Sequence, residues 1–273
     1  MKFAVITDIH HGPEGSGICR GQQRKLVSKA KEELVRTIEV LNDKSDIEFV
    51  VNLGDSIEDV NDEATDIKYF NEIQETLSNL NKPLYTLIGN HDQRTLSHEK
   101  LKELLGLENL YYSFEAGGVK FISLHVQMLG NHTEVQSDIR AGVDDEQLIW
   151  LEGQLVGDVP TVVFSHYSAA EMDLTNNFWF DGEPQHALIS NRGKVREILE
   201  ANQSVIAFMN GHVHWNNVTV HNGIPYITQQ SLSENFVEDG TPASTYSIVE
   251  IADDTFNMVM FGNDTVNVKF NLK

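Results

Sequence analysis

Tyr85 to Arg94 read YTLIGNHDQR: an apolar run suited to a buried strand stops at Gly89-Asn90-His91-Asp92. Burying polar groups is costly unless they are paired. A core strand that ends on an amide, an imidazole and a carboxylate therefore needs something to compensate them. Four other apolar runs end in the same way. Asp8-Ile9-His10 follow FAVIT, Gly54-Asp55 follow FVVNL, Ser165-His166 follow TVVF, and Gly211-His212-Val213-His214 follow AFMN.

Helical patterns separate these strands. Leu26, Ala30, Leu34, Ile38 and Leu41 recur at helical spacing within 22–42, and similar patterns lie around 63–80, 97–105, 144–155 and 190–201. Strands are predicted at 2–7, 47–53, 83–88, 161–166 and 204–212. YYSFEAGGVKFISLH reads as a hairpin turning at Gly117-Gly118, and the chain from Asn217 onward reads as short strands. The alternation predicts an α/β fold: a four-layer α/β/β/α sandwich of two mixed sheets flanked by helices, in a single domain over 1–273. The C-terminal strands, such as STYSIVEIA, could complete a sheet or pair with a second subunit in a homodimer.

The chain carries 41 acidic against 20 basic residues, a formal charge of −21. This argues against binding nucleic acid polymers or anionic membranes, which needs Lys and Arg patches. Cys19 is the single cysteine, so no internal disulfide can form. The opening MKFAVITDIH has no signal-peptide pattern and no run is long enough to span a membrane, so a cytoplasmic location is expected.

In α/β sheets ligands sit outside the carboxyl ends of strands, so five such ends gather their polar residues at one edge. The donors are carboxylate, amide oxygen and imidazole with no thiolate, which suits Mn, Fe or Zn. Two Asp, one Asn and four His exceed the needs of one ion and suit two ions about 3.5–4 Å apart.

This pattern, D-x-H, G-D, G-N-H-D, H and G-H-x-H in order over 8–214, resembles the calcineurin-like metallophosphoesterases. The resemblance implies a two-sheet sandwich with Asp8, His10, Asp55 and His214 on one metal. Asp55 would bridge to a second, held also by Asn90, His166 and His212. It further implies an unligated catalytic His91, oriented by Asp92. The expected reaction is in-line hydrolysis of a phosphoester by a hydroxide held between the metals, with His91 as acid.

The substrate is read from fewer residues. GNHDQR resembles the GNHD-x-R run of class III cyclic-nucleotide phosphodiesterases, which singles out Arg94. The stretch 167–192 between two ligand blocks offers Phe178, Trp179, Phe180, His186, Asn191 and Arg192, of which Trp179 and Arg192 are expected to touch substrate. His11 and His125 are further expected contacts. His98, His132, His186 and His221 are expected at the surface or behind the ligands, and Trp150 in packing. The expected activity is a small-molecule phosphodiesterase with nucleotide-type substrates; the alternatives are a broad phosphomonoesterase and, least favoured, a scaffold on the same fold.

Overall fold

The computed structural model describes residues 1–129, 140–235, 240–252 and 254–272. From the N-terminus, β1 (Lys2–Ile6) leads to a small hairpin of β2 (Ile18–Cys19) and β3 (Gln22–Gln23). Then come α1 (Val27–Asn42), β4 (Phe49–Asn52), α2 (Glu63–Leu77), β5 (Leu84–Thr86) and α3 (His98–Leu105). A hairpin of β6 (Tyr112–Ala116) and β7 (Val119–Ser123) precedes β8 (Gln127–Leu129), β9 (Arg140–Gly142), α4 (Asp145–Gln154) and β10 (Thr161–Ser165). The chain ends with α5 (Pro184–Ala187), α6 (Arg192–Glu200), β11 (Val205–Asn210), β12 (Asn217–His221), β13 (Ile224–Thr228), β14 (Tyr246–Ala252), β15 (Thr255–Phe261) and β16 (Val266–Asn271).

Two six-stranded mixed sheets form, in the orders β16-β15-β14-β1-β4-β5 and β12-β13-β11-β10-β7-β6. Strand alternation explains how they pack. Phe3, Val5, Phe49 and Val51 of one sheet meet Phe121, Val162, Phe164, Ala207 and Met209 of the other. The intervening Ala4, Ile6 and Val50 face α1 and α2 with Leu34, Ile38 and Ile73. On the far side, Val163 and Phe208 pack with Leu148 and Leu151 of α4 and with Val195 and Leu199 of α6. The layers are therefore α/β/β/α, as the sequence predicts. Asp62, Ser97 and Asp144 cap α2, α3 and α4 by accepting from the backbone N–H three residues on.

Four details follow from, or depart from, the sequence reading. Gly117 and Gly118 both hold positive φ, 56° and 78°, which fits a two-residue turn between β6 and β7. The helix predicted from residue 22 starts at Val27, because Gln22-Gln23 pair with Ile18-Cys19 and Leu26 N–H donates to Ser233 O. The strands after Asn217 complete both sheets: β13 pairs with β11 and β12 adds outside β13, while β14 to β16 extend from β1. Trp150 packs against the outer core and Tyr111, as expected.

Within their sheets β1, β4 and β5 run parallel, as do β10 and β11. Their carboxyl ends therefore emerge together, each followed by one of the polar runs. Phe164 is fully buried between the sheets, stacked on Phe121 and edge-on to Phe3. Phe164→Ala should lower stability by about 3–5 kcal/mol, read as an earlier urea midpoint; an unchanged midpoint would contradict the inter-sheet packing.

Candidate metal centre

Asp8, His10, Asp55, His212 and His214 all adopt left-handed backbone, with φ of 51–66°. This region is unfavourable for residues with a Cβ and clusters at functional sites. It lets the chain turn sharply off each strand, so that the side chain points back over the sheet edge. Glycine makes the crowding possible: a Cβ on Gly89 would run into the Asp55 carboxylate, and one on Gly211 into Thr7 and Asp8.

All seven expected ligands converge and are buried. Asp8, His10 and His214 offer donor atoms close enough to share one ion, and so do Asp55, His166 and His212. Donors about 2.1 Å from a common ion lie roughly 3.0–3.4 Å apart. His214 Nε2 is 3.3 Å from Asp8 Oδ1 and 3.0 Å from His10 Nε2. His166 Nε2 is 3.3 Å from Asp55 Oδ2 and 3.2 Å from Asn90 Oδ1. That same Asp55 Oδ2 is 3.6 Å from His10 Nε2, so one carboxylate oxygen lies between the two groups.

The partners behind the ligands complete the fit. His214 Nδ1 donates to Glu234 Oε2 at 2.8 Å, His166 Nδ1 to Leu53 O at 3.0 Å, and His212 Nε2 to His186 O at 2.9 Å. His10 Nδ1 lies 2.9 Å from Glu58 Oε2. An imidazole that gives its outer N–H to an acceptor turns a bare nitrogen inward, the usual arrangement behind metal-binding histidines. The residues therefore fit two ions: one on Asp8, His10, Asp55 and His214, the other on Asp55, Asn90, His166 and His212.

His91 also lies beside His10 and Asp55, but both its nitrogens are engaged elsewhere. Lys25 Nζ sits 2.8 Å from Nε2, and Asp59 Oδ1 sits 2.6 Å from Nδ1. An ammonium can only donate, so Nε2 accepts and the ring proton is on Nδ1, facing Asp59. Burial, with the Lys25 charge beside it, holds His91 well below its ordinary range and keeps the ring neutral.

Asp92 does not orient His91. Its carboxylate accepts from the backbone N–H groups of Gly89, Asp55, Ser56 and Ile57, pinning the β4 and β5 turns together. Burial and the Asp55 charge push it up to about 7. Asp59 takes the orienting place, itself held by Arg94 Nη1 at 2.9 Å.

A cavity of about 360 Å³ opens over the centre, lined in part by Lys25, Asn90, His91, Arg94, Trp179 and Phe180. Arg94 and Trp179 thus line the cavity. Three other expected contacts do not. His11 Nε2 meets Glu72 on α2 at 2.8 Å. His125 is buried against His98, and burial pushes it down to about 3. Arg192 is held by Glu171 Oε1 at 2.6 Å and by Ile189 O, outside the cavity lining. His186, expected at the surface or behind the ligands, supports His212 and lines the cavity. His132 lies outside the described residues.

Sequence reasoning missed Lys25, Glu58, Asp59 and Glu234. Glu58-Asp59 closely follow the ligand Asp55 in GDSIED, a signal that could have been used. Lys25 and Glu234 carry no such signal.

A family model described as calcineurin-like phosphoesterase matches residues 1–239. A probable glycerophosphodiester phosphodiesterase GpdQ of Arcobacter nitrofigilis is 24% identical over 248 residues, covering 88% of this chain and 81% of that protein. A manganese-dependent ADP-ribose/CDP-alcohol diphosphatase of Arabidopsis thaliana is 26% identical over 118 residues, 42% of this chain and 38% of that one. Among solved structures, a dimetal phosphatase from Danio rerio superposes with a TM-score of 0.80 at 18% identity, covering 100% and 99% of the two chains, a likeness of fold.

Burial disfavours the His166 and His214 cations, yet Asp55 and Asp8 respectively push each up to about 9, above the ordinary 6.5. Without metal these protons stabilise the fold below pH 6.5, and that contribution is lost as pH rises through about 9. Ligation must displace them. Titrating Mn²⁺ into stripped protein at pH 7 should release close to two protons, with affinity rising from pH 6.5 towards 9; uptake without proton release would contradict the assignment.

Proposed function

Because the chain belongs to the calcineurin-like phosphoesterase family, we propose that it is a dinuclear-metal hydrolase of small-molecule phosphodiesters, nucleotide-type esters among them. The observation that carries the reading is the single Asp55 oxygen lying between two complete donor groups. When bound, two such ions polarise phosphoryl oxygens and lower the pKa of water to near neutrality. The chain's own residues shape the rest. Lys25 and Arg94 bring positive charge to the cavity, while Trp179, Phe180 and Tyr167 give it an apolar wall suited to a second ester substituent. His91 and the groups hydrogen-bonded to it occupy the same cavity, on the side we assign to the departing group.

The names of both relatives concern diesters or diphosphates, which favours a diesterase over a phosphomonoesterase. The Arabidopsis name makes manganese the first metal to try, ahead of iron and zinc. No helix among the described residues is long and apolar enough to cross a membrane.

Stripped protein given Mn, Fe, Zn or Mg singly should hydrolyse bis(p-nitrophenyl) phosphate well above p-nitrophenyl phosphate. The reverse ratio would make it a phosphomonoesterase, and two bound ions without turnover of either ester would revive the scaffold reading. His91→Ala should lower kcat by about 10²–10⁴-fold while metal content stays at the wild-type level; normal turnover by that variant would remove His91 from the chemistry.

A further inference from the structure

Ile18, on β2, has no part in the hydrolase reading. It is 56% exposed, and among the described residues it is the one large exposed apolar side chain that lines the cavity. Its position is fixed from two sides. The hairpin of β2 and β3 closes where the Arg24 and Lys25 N–H groups both donate to Gly17 O at 3.0 Å. Across the hairpin, the Arg24 guanidinium lies 3.3 Å over the Phe178 ring and Cys19 Sγ donates to Phe178 O at 2.9 Å. The adjoining aromatic segment is held as firmly. The Asn177 side chain, fully buried, accepts from the Trp179 and Phe180 N–H groups at 3.0 and 3.1 Å, and it donates to Val213 O between His212 and His214. Ile18 is thus joined through Phe178 to the aromatic wall, and that wall to the turn carrying two ligands.

Charge in the cavity is arranged to match. Outside the ligand histidines, each basic side chain among the described lining residues already faces an acid. Lys25 has Glu58 at 2.9 Å, Arg94 has Asp59 at 2.9 Å and His186 has Glu183 at 3.5 Å, while His91 shares Asp59 with Arg94. The positive charge of Lys25 and Arg94 is therefore answered within the protein. Two bound ions could take one phosphate, but a second anionic group would find no cation without an acid beside it. Enclosing an unpaired charge is costly. Covering an apolar side chain that stands in water is favourable.

We infer that Ile18 is a specificity-determining residue: with the aromatic wall it selects diesters whose retained substituent is uncharged and largely apolar, an aryl ring or an alkyl chain. Diphosphates and substituents carrying a further negative charge are disfavoured. The inference rests on the hydrolase reading above and narrows its substrate class. Because the hairpin and the segment from Asn177 to Phe180 are fixed to each other before any substrate arrives, little ordering cost falls on binding.

A series of p-nitrophenyl phosphodiesters keeps the leaving group constant and varies only the retained substituent: methyl, butyl, phenyl and p-carboxyphenyl. Mn-loaded wild-type protein should prefer phenyl and butyl to methyl in kcat/KM, and phenyl to p-carboxyphenyl by about tenfold or more. Ile18→Ala should cost the phenyl ester about tenfold in kcat/KM, mainly through KM, and the methyl ester less than about twofold. Ile18→Lys adds a cation at that position, so it should raise the p-carboxyphenyl ester relative to the phenyl ester. Metal content and melting midpoint should stay at the wild-type level in both variants, because the side chain is exposed. Equal losses across the series in Ile18→Ala would overturn the inference and leave the hydrolase reading standing. So would a wild-type protein that takes the p-carboxyphenyl ester as readily as the phenyl ester. Two bound ions and no turnover of any ester would overturn the hydrolase reading and this inference with it.

Discussion

The structure depends on how charge is compensated at the carboxyl edge of two packed sheets. Asp8, Asp55 and Asp92 are buried within one small volume, where carboxylates repel and lack water. Asp92 is satisfied by four backbone N–H groups, and its cost becomes the clamp between the β4 and β5 turns. Asp8 and Asp55 have no comparable full set. They face imidazole nitrogens whose outer N–H groups are spent on Glu234, Leu53 and His186. Only cations shared among these inward lone pairs and carboxylates satisfy both sides. In the metal-free protein protons on His166 and His214 take that part.

That constraint reaches back into the fold. Five ligand positions hold left-handed backbone, at a cost on the order of 1–2 kcal/mol each. Such strain persists where the surroundings over-determine it. Here the surroundings are two parallel strand sets, anchored by a continuous apolar layer between the sheets and by Phe3, Phe49, Phe121 and Phe164 in mutual ring contact. Gly89 and Gly211 let neighbouring turns approach within the width of a missing methyl group. The packed core makes the strained edge affordable, and the strained edge aims the ligands.

Most of this was legible in the sequence. Each ligand follows directly on an apolar run, and parallel strands bring their ends to one edge, so residues as distant as Asp8 and His214 could be grouped. Side-chain direction inside a turn was not legible. Asp92 is next to His91 in the chain, yet its carboxylate turns back beneath the backbone while Asp59 reaches the ring. Lys25 meets His91 across 66 positions through a hairpin and a bridge to Glu234, contacts that only tertiary packing sets. Arg192 had the right loop but begins α6, where Glu171 takes its guanidinium. His11 follows His10 immediately, and for that reason faces away, to Glu72 on the outer helix.

The central claim is that Asp55 joins two metal sites. Anomalous diffraction from crystals of the manganese-loaded protein, measured at the manganese edge, tests it most directly. Two peaks about 3.5–4 Å apart, both in bonding contact with the Asp55 carboxylate, are the predicted result. A single peak, or a second ion bound away from Asp55, would contradict the account.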